Sequence, residues 1–276
     1  MIHQAKKSLG QNFLKSQGAL RTIVTTGGIG PEDIILEIGP GKGALTEKIL
    51  PLAGKVIAIE KDEALAEYLR EKYADFVSRG KLDLATGDVL AFDPETLRVY
   101  APHTYKILAN IPYYLTGAIL RMFLEASYQP AQMVLLVQKE VAERIVSRDG
   151  KESILSISVK AYGTPKYIEK VPKKYFSPIP KVDSAIINVS EISKKRFKNI
   201  EERAFFEVVR SGFAHKRKTL SNNLEFAGFD RETVTALLIE LGIPSKERPE
   251  NISVDLWFAL AERIHAEKQI PGEHER

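Results

Sequence analysis

Asn110, Pro112 and Tyr113 stand within the run Asn110-Ile111-Pro112-Tyr113-Tyr114, at the end of an apolar stretch, 105–109, that predicts a buried strand. An amide, a proline turn and an aromatic ring delivered to one point suit a planar amino-heterocycle. The amide oxygen and an adjacent backbone carbonyl can accept from an exocyclic NH₂, and Tyr113 can stack on the ring. Taken alone, the pattern reads more plainly as a strand and turn with a buried tyrosine. It gains weight when a cofactor site stands upstream at a suitable distance.

Such a site is the run 34–46, where an apolar strand meets Gly39, Gly41 and Gly43 and then a helix-like segment at 45–50. Glycines there let the backbone turn sharply and let a ligand lie against the main chain without meeting a Cβ. A second strand at 56–60 ends in Glu60, about twenty residues past the loop, where an acid can accept from both hydroxyls of a ribose. A third at 82–86 runs into Gly87-Asp88, and Asp88 is placed for the adenine end of a nucleoside cofactor. The pattern Gly39-x-Gly41-x-x-Ala44 also satisfies the dinucleotide fingerprint. Glu37, two residues before the first glycine, and the Asn-Ile-Pro-Tyr turn on the fourth strand favour S-adenosylmethionine over NAD.

With these residues in view, the chain resembles the ribosomal RNA adenine N6-dimethyltransferase family, most closely its bacterial 16S rRNA branch. Lys7-Ser8-Leu9-Gly10-Gln11-Asn12-Phe13-Leu14 is similar to the family's N-terminal cofactor motif. The run 36–46 with Glu60 and Gly87-Asp88 matches its cofactor loop and two acids, and 110–114 its catalytic motif. The stretch 176–184, Phe-Ser-Pro-Ile-Pro-Lys-Val-Asp-Ser, matches its target-base loop, and 213–224, with Arg217-Lys218-Thr219-Leu220, its C-terminal signature. Ile111 where Leu is commoner, and His215-Lys216 before the Arg-Lys pair, are small departures that remove no functional group.

The resemblance implies S-adenosylmethionine bound by Asn12, Leu14, Gly39, Gly41, Glu60, Asp88 and Asn110, and catalysis at Asn110, Pro112 and Tyr113. It also moves Phe176, which composition alone leaves evenly balanced against a hydrophobic plug, to a base-stacking role opposite Tyr113. The implied reaction is N6-dimethylation of two adjacent adenines in the 3′-terminal hairpin of 16S rRNA, within an immature small ribosomal subunit. Competing readings are a 23S rRNA adenine methyltransferase of the antibiotic-resistance type, a non-catalytic RNA-binding assembly factor on the same scaffold and, more distantly, an NAD oxidoreductase.

A chain of 276 residues can hold one large domain and one small one, each with its own core. The absence of cysteine excludes a disulfide framework, a thiolate nucleophile and a Cys-ligated zinc. His3, His103, His215, His265 and His274 are scattered without ligand spacing, so no metal is expected. No leader-like or membrane-length apolar run is present, which predicts a cytoplasmic protein, expected as a monomer.

Apolar runs at 34–38, 56–60, 82–86, 105–109 and 133–138 alternate with helix-like segments such as 63–73 and 117–126. This predicts a doubly wound, Rossmann-like α/β sheet with its ligand crevice at the carboxyl ends of the strands. Strands at 166–171 and 184–189, flanking the loop stiffened by Pro178 and Pro180, would close it with an antiparallel edge. Beyond 191 only short helical patterns follow, at 201–213, 232–241 and 254–265, and the tail at 270–276 is polar and expected to fray. The expected division is a catalytic domain over 1–192 and a helical RNA-recognition domain over 193–276. Residues 194–218 hold nine Lys or Arg against three Glu, which beside a base-handling site reads as phosphate binding through Arg210, Arg217 and Lys218. If that segment were one helix, Arg203, Arg210 and Arg217 would nearly share a face, although Gly212 weakens the expectation.

Overall fold

The computed structural model describes residues 6, 9–99 and 104–269, with side chains to 266. Lys7, Ser8, His3, His103, His274 and the tail 270–276 lie outside the described residues. The chain forms two compact units, one of Met1–Val146 with Gly163–Ser193, the other of Ser147–Tyr162 with Lys194–Arg276.

The first unit holds strands β1 (Phe13–Leu14), β2 (Ile34–Ile38), β3 (Lys55–Glu60), β4 (Leu82–Thr86), β5 (Lys106–Asn110), β6 (Gln132–Gln138), β7 (Thr164–Val171), β8 (Phe176–Ser177) and β9 (Ser184–Ser190). Seven of them form one sheet in the order β4-β3-β2-β5-β6-β9-β7. Neighbours from β4 to β6 run parallel, whereas β9 is antiparallel to both β6 and β7. Consecutive positions in β2, β5 and β6 are buried, as in a parallel sheet covered on both faces. The chain steps from β2 outward through β3 to β4, then returns to β5 on the other side. Loops leaving β2 and β5 therefore diverge, and a crevice opens at their carboxyl ends.

Helices α1 (Gln17–Gly27), α2 (Thr46–Ile49), α3 (Glu63–Lys72), α4 (Ala74–Ser78), α5 (Thr116–Glu125) and α6 (Lys139–Ile145) accompany the sheet. In α1 the Ser16 side chain accepts from Ala19 N–H, and Leu20, Ile23, Val24 and Gly27 turn inward. Gly27 faces Leu108 so closely that a Cβ there would come within 3.0 Å of its side chain. Leu20, Ile23, Ile35, Leu108 and Leu136 belong to one buried core, which fixes the strand ends that carry the site.

The second unit is helical, with α7 (Ile154–Lys160), α8 (Glu202–Gly212), α9 (Leu220–Phe226), α10 (Arg231–Glu240) and α11 (Val254–Gln269). Segment 147–162 joins it through Tyr162, whose ring lies 5.0 Å from Phe197 and 6.1 Å from Phe206. Phe205 and Phe258 stack at 4.1 Å in the same aromatic core. Gly212 is required because the Trp257 ring occupies the space a Cβ would take. The α8 helix ends there, which corrects the single-helix expectation: Arg203 and Arg210 are exposed on α8, while Arg217 lies in the turn before α9. Two cations of the basic segment are engaged within the unit, Lys194 with Glu202 at 2.7 Å and Arg196 with Asp255. No helix among the described residues is long and apolar enough to cross a membrane.

Candidate active site

A cavity of about 410 Å³ opens in the first unit at the carboxyl ends of β2 to β5. Gly39 and Gly41 enter it from the turn after β2, Glu60 from the end of β3, and Asp88 from the turn after β4. Asn110, Pro112 and Tyr113 enter after β5, and Asn12 and Leu14 arrive from the N-terminal segment. The structure thus brings together every residue expected for the cofactor and the reacting base except Phe176.

The backbone at Gly39 and Gly41 has φ of 66° and 58°, the left-handed region open to glycine. A Cβ on Gly39 would meet nothing within 4 Å, so the glycine leaves free a space that a ligand can fill. Glu60 is buried, and its two oxygens accept from Gly41 N–H and Asp62 N–H, each at 2.9 Å. Burial pushes its carboxyl above the ordinary range, and those two amides pull it back. The Asp88 side chain accepts from Leu90 N–H at 3.0 Å and pairs with Lys61 at 2.7 Å, and Lys61 with that amide holds it below the ordinary range. One acid is thus sequestered near the loop, and the other is ionised and half open at the rim.

Glu37 also lines the cavity, is 1 % exposed, and its Oε2 has no hydrogen-bond partner among the described residues. Burial pushes its carboxyl up to about 8, with Thr46 pulling down and Glu60 pushing further up.

At the β5 end of the cavity, the Asn110 amide nitrogen donates to the Asn12 carbonyl at 3.1 Å, leaving its oxygen as an acceptor. Pro112, at φ −58°, starts a tight 3-10 turn over Tyr113–Leu115. The Tyr113 hydroxyl lies 2.7 Å from the hydroxyl of fully buried Ser184 on β9, so the ring is tethered at its far end. Burial raises the phenol pKa, with Ser184 acting in the opposite sense. Ser184 closes the stretch 176–184, but its tether to Tyr113 has no local signal, because the two meet only when β9 joins the sheet.

Phe176 does not face Tyr113 at a rim. It is 0 % exposed, registers against Leu14 in the β1–β8 ladder, and shares the core with Leu20, Val171 and Ile186. The ladder, extended by Lys15 N–H donating to Tyr175 C=O at 2.8 Å, turns the ring inward, so the structure shows the plug. Exposed apolar character in that loop belongs to Ile179 and Val182 instead. The plug has a positioning consequence, since it straps Leu14, and with it Asn12, beside the cavity. Arg210, Arg217 and Lys218 are exposed in the second unit.

A family model described as ribosomal RNA adenine dimethylase matches residues 2–266. The ribosomal RNA small subunit methyltransferase A of Dehalococcoides mccartyi (strain CBDB1) is 41 % identical over 258 residues, covering 93 % of this chain and 87 % of the relative. Its namesake from Fusobacterium nucleatum is 39 % identical, covering 94 % of this chain and 97 % of the relative. Among solved structures, the 23S rRNA methyltransferase ErmE aligns with a TM-score of 0.73 at 27 % identity, covering 92 % of this chain and all of that one. A dimethyladenosine transferase from Plasmodium falciparum aligns at 0.71 and 26 % identity, covering 90 % of this chain and 95 % of that one.

Proposed function

The chain belongs to the ribosomal RNA adenine dimethylase family, and on that premise we propose that it dimethylates N6 of two adjacent adenines in the 3′-terminal hairpin of 16S rRNA. The substrate is an immature small ribosomal subunit, the methyl donor is S-adenosylmethionine, and the enzyme acts as a cytoplasmic monomer. The observation that carries this reading is Asn110: it lines the cavity with its nitrogen engaged by Asn12, which leaves its oxygen to accept from the reacting amine.

The residues fit the donor. Gly39 offers a wall without a Cβ, Gly41 lines the cavity and holds Glu60 through its N–H, Glu60 is an acceptor for ribose hydroxyls, and Asp88 an ionised acceptor for the adenine amine. Asn12, Leu14 and Asn110 close the remaining side. When bound, the donor supplies a methyl group on a sulfonium, an electrophile that needs no activation.

The amine is the weak partner, because its lone pair is delocalised into the ring. Accepting from N6–H, the Asn110 oxygen draws the nitrogen toward tetrahedral geometry and aims its lone pair. Tyr113, tethered by Ser184, supports the extruded base by stacking. The nitrogen becomes cationic as the new bond forms, and it then releases a proton to water. Rotation about the C6–N6 bond presents the monomethylated amine for a second round. In the second unit, Arg210, Arg217 and Lys218 supply phosphate contacts.

Small-subunit specificity is supported by relatives near 40 % identity that bear that name, against 27 % for the 23S enzyme. The test is transfer of labelled methyl from S-adenosylmethionine to small and large subunits lacking these marks, followed by nucleoside analysis. Label in dimethyladenosine of the small subunit is expected. Label confined to the large subunit would identify a 23S enzyme, and no label in either would favour a non-catalytic factor.

A further inference from the structure

The turn between α8 and α9 presents His215, Lys216, Arg217 and Lys218 in succession, all exposed. Its backbone is held rather than loose. Fully buried Asn223 accepts from His215 N–H at 2.9 Å and donates to His215 C=O at 3.3 Å. Thr219 closes the turn as the N-cap of α9. Among the described residues, no acid lies within ion-pair distance of these three Lys and Arg side chains.

Beside this turn stands Phe226, at the end of α9 and 66 % exposed. The inward face of α9 is already provided by Leu220, Asn223 and Leu224, so Phe226 serves no core. Its ring centroid lies 5.3 Å from the His215 ring at an interplanar angle of 70°, and Lys218 Nζ is 5.7 Å from it. At that exposure most of the ring's apolar surface stays in water. An isolated exposed phenylalanine would need no explanation, but this one is two-thirds exposed beside a cationic turn, with Lys218 over its ring and the His215 ring against it.

We propose that Phe226 and the 215–218 turn form a stacking platform for one unpaired base of the RNA partner, in addition to the adenine that enters the cavity. This rests on the RNA-substrate reading above. A base has a π-face for the ring, and its flanking phosphates suit Lys216, Arg217 and Lys218. A continuous duplex keeps its base faces stacked and cannot use the ring, so the platform selects a loop, bulge or strand end. The three exposed cations of the turn argue against an apolar protein partner.

The test uses the full chain and small subunits lacking the methyl marks, with Phe226→Ala, Phe226→Leu and Phe226→Trp. Stacking is worth about 1–3 kcal/mol per base, so Phe226→Ala should weaken binding about 5- to 150-fold. Its salt dependence should stay at the wild-type slope, because no counterion contact is lost. Phe226→Leu should fail nearly as badly, whereas Phe226→Trp should hold affinity. The single native tryptophan, Trp257, is fully buried, so an exposed indole at 226 gives a distinct signal that a stacked base should quench. Single-stranded RNA should quench it far more than a fully paired duplex. Wild-type affinity in both Ala and Leu variants would overturn the proposal, as would an indole unmoved by RNA. A functional Leu variant beside a weak Ala variant would also overturn it, in favour of an apolar protein contact. Each arm is read only after wild-type protein has methylated the same subunits. Failure at that step refutes the functional reading, and failure in the variants refutes the platform alone.

Discussion

The side-chain amide of Asn110 donates to the backbone carbonyl of Asn12, 98 residues earlier in the chain, at 3.1 Å. This bond does two things at once. It fixes the rotamer and sense of the Asn110 amide, and it ties the N-terminal segment to the end of β5 at the wall of the cavity. In the proposed mechanism, binding of the cofactor and orientation of the target amine share this one hydrogen bond.

Asn110→Ala should lower kcat by on the order of 10²–10³-fold, the usual cost of losing one preorganised polar group at a reacting centre. RNA affinity should change little, since phosphate contacts dominate it. Asn110→Asp keeps an acceptor but loses the donor to Asn12, so it should weaken cofactor binding as well. Calorimetric titration with S-adenosylmethionine separates the two effects. Near wild-type turnover in the alanine variant would dismiss the orientation mechanism.

The Ser184 tether makes Tyr113 divisible into a ring and a hydroxyl. Tyr113→Phe keeps the stacking face and loses only a hydrogen bond worth about 1 kcal/mol, so a several-fold drop in methylation is expected. Tyr113→Ala removes the face and should cost at least tenfold more. Steady-state methyl transfer on unmodified subunits distinguishes them, and equal rates for the two variants would show that the ring does not hold the base.

Gly39 and Gly43 look alike in sequence but face different surroundings. Gly39 borders the cavity, while a Cβ on Gly43 would press on Leu69 and Tyr73 at 2.8 Å. Both have positive φ, which costs an alanine roughly 1–2 kcal/mol. Gly39→Ala should stop near that loss in urea unfolding yet bind the cofactor much more weakly. Gly43→Ala should lose clearly more stability. The reverse ranking in unfolding and calorimetry would mean that the loop's fit to a ligand has been misread.

The parts legible in the sequence are those with a local signature. Strands buried on both faces appear as continuous apolar runs, and Glu60, Asp88 and Asn110 stand where those runs end, which in a doubly wound sheet is one place. Phe176 was not legible, because β8 is two residues long and has no periodicity. Its inward turn is imposed by pairing with Leu14, at the other end of the first unit's sequence. Segment 147–162 likewise continues the α/β alternation locally, while the aromatic partners of Tyr162 come from 197 and 206. Arg217 lies beyond the end of α8, in a turn whose His215 backbone is held by the Asn223 side chain from the next helix.

Glu37 should mark the unliganded protein with a pH dependence of its own. Its carboxyl is raised from 4.5 to about 8 in the folded protein. Between those values the folded state holds a proton that the unfolded state has released, so stability falls as pH rises. The contribution is complete below the unfolded value and is lost as pH climbs toward 8, at up to about 1.4 kcal/mol per unit. Glu37→Gln, a neutral isostere, lacks this slope. Titrating groups not coupled to Glu37 are common to both proteins and cancel in the difference, leaving Glu37 and its coupling to Glu60. Urea unfolding without cofactor at about pH 5, 6.5 and 8 should show the glutamine variant close to wild type at the lowest pH and progressively more stable above it. A difference that stays constant across the three would mean that Glu37 is already ionised in the folded cavity.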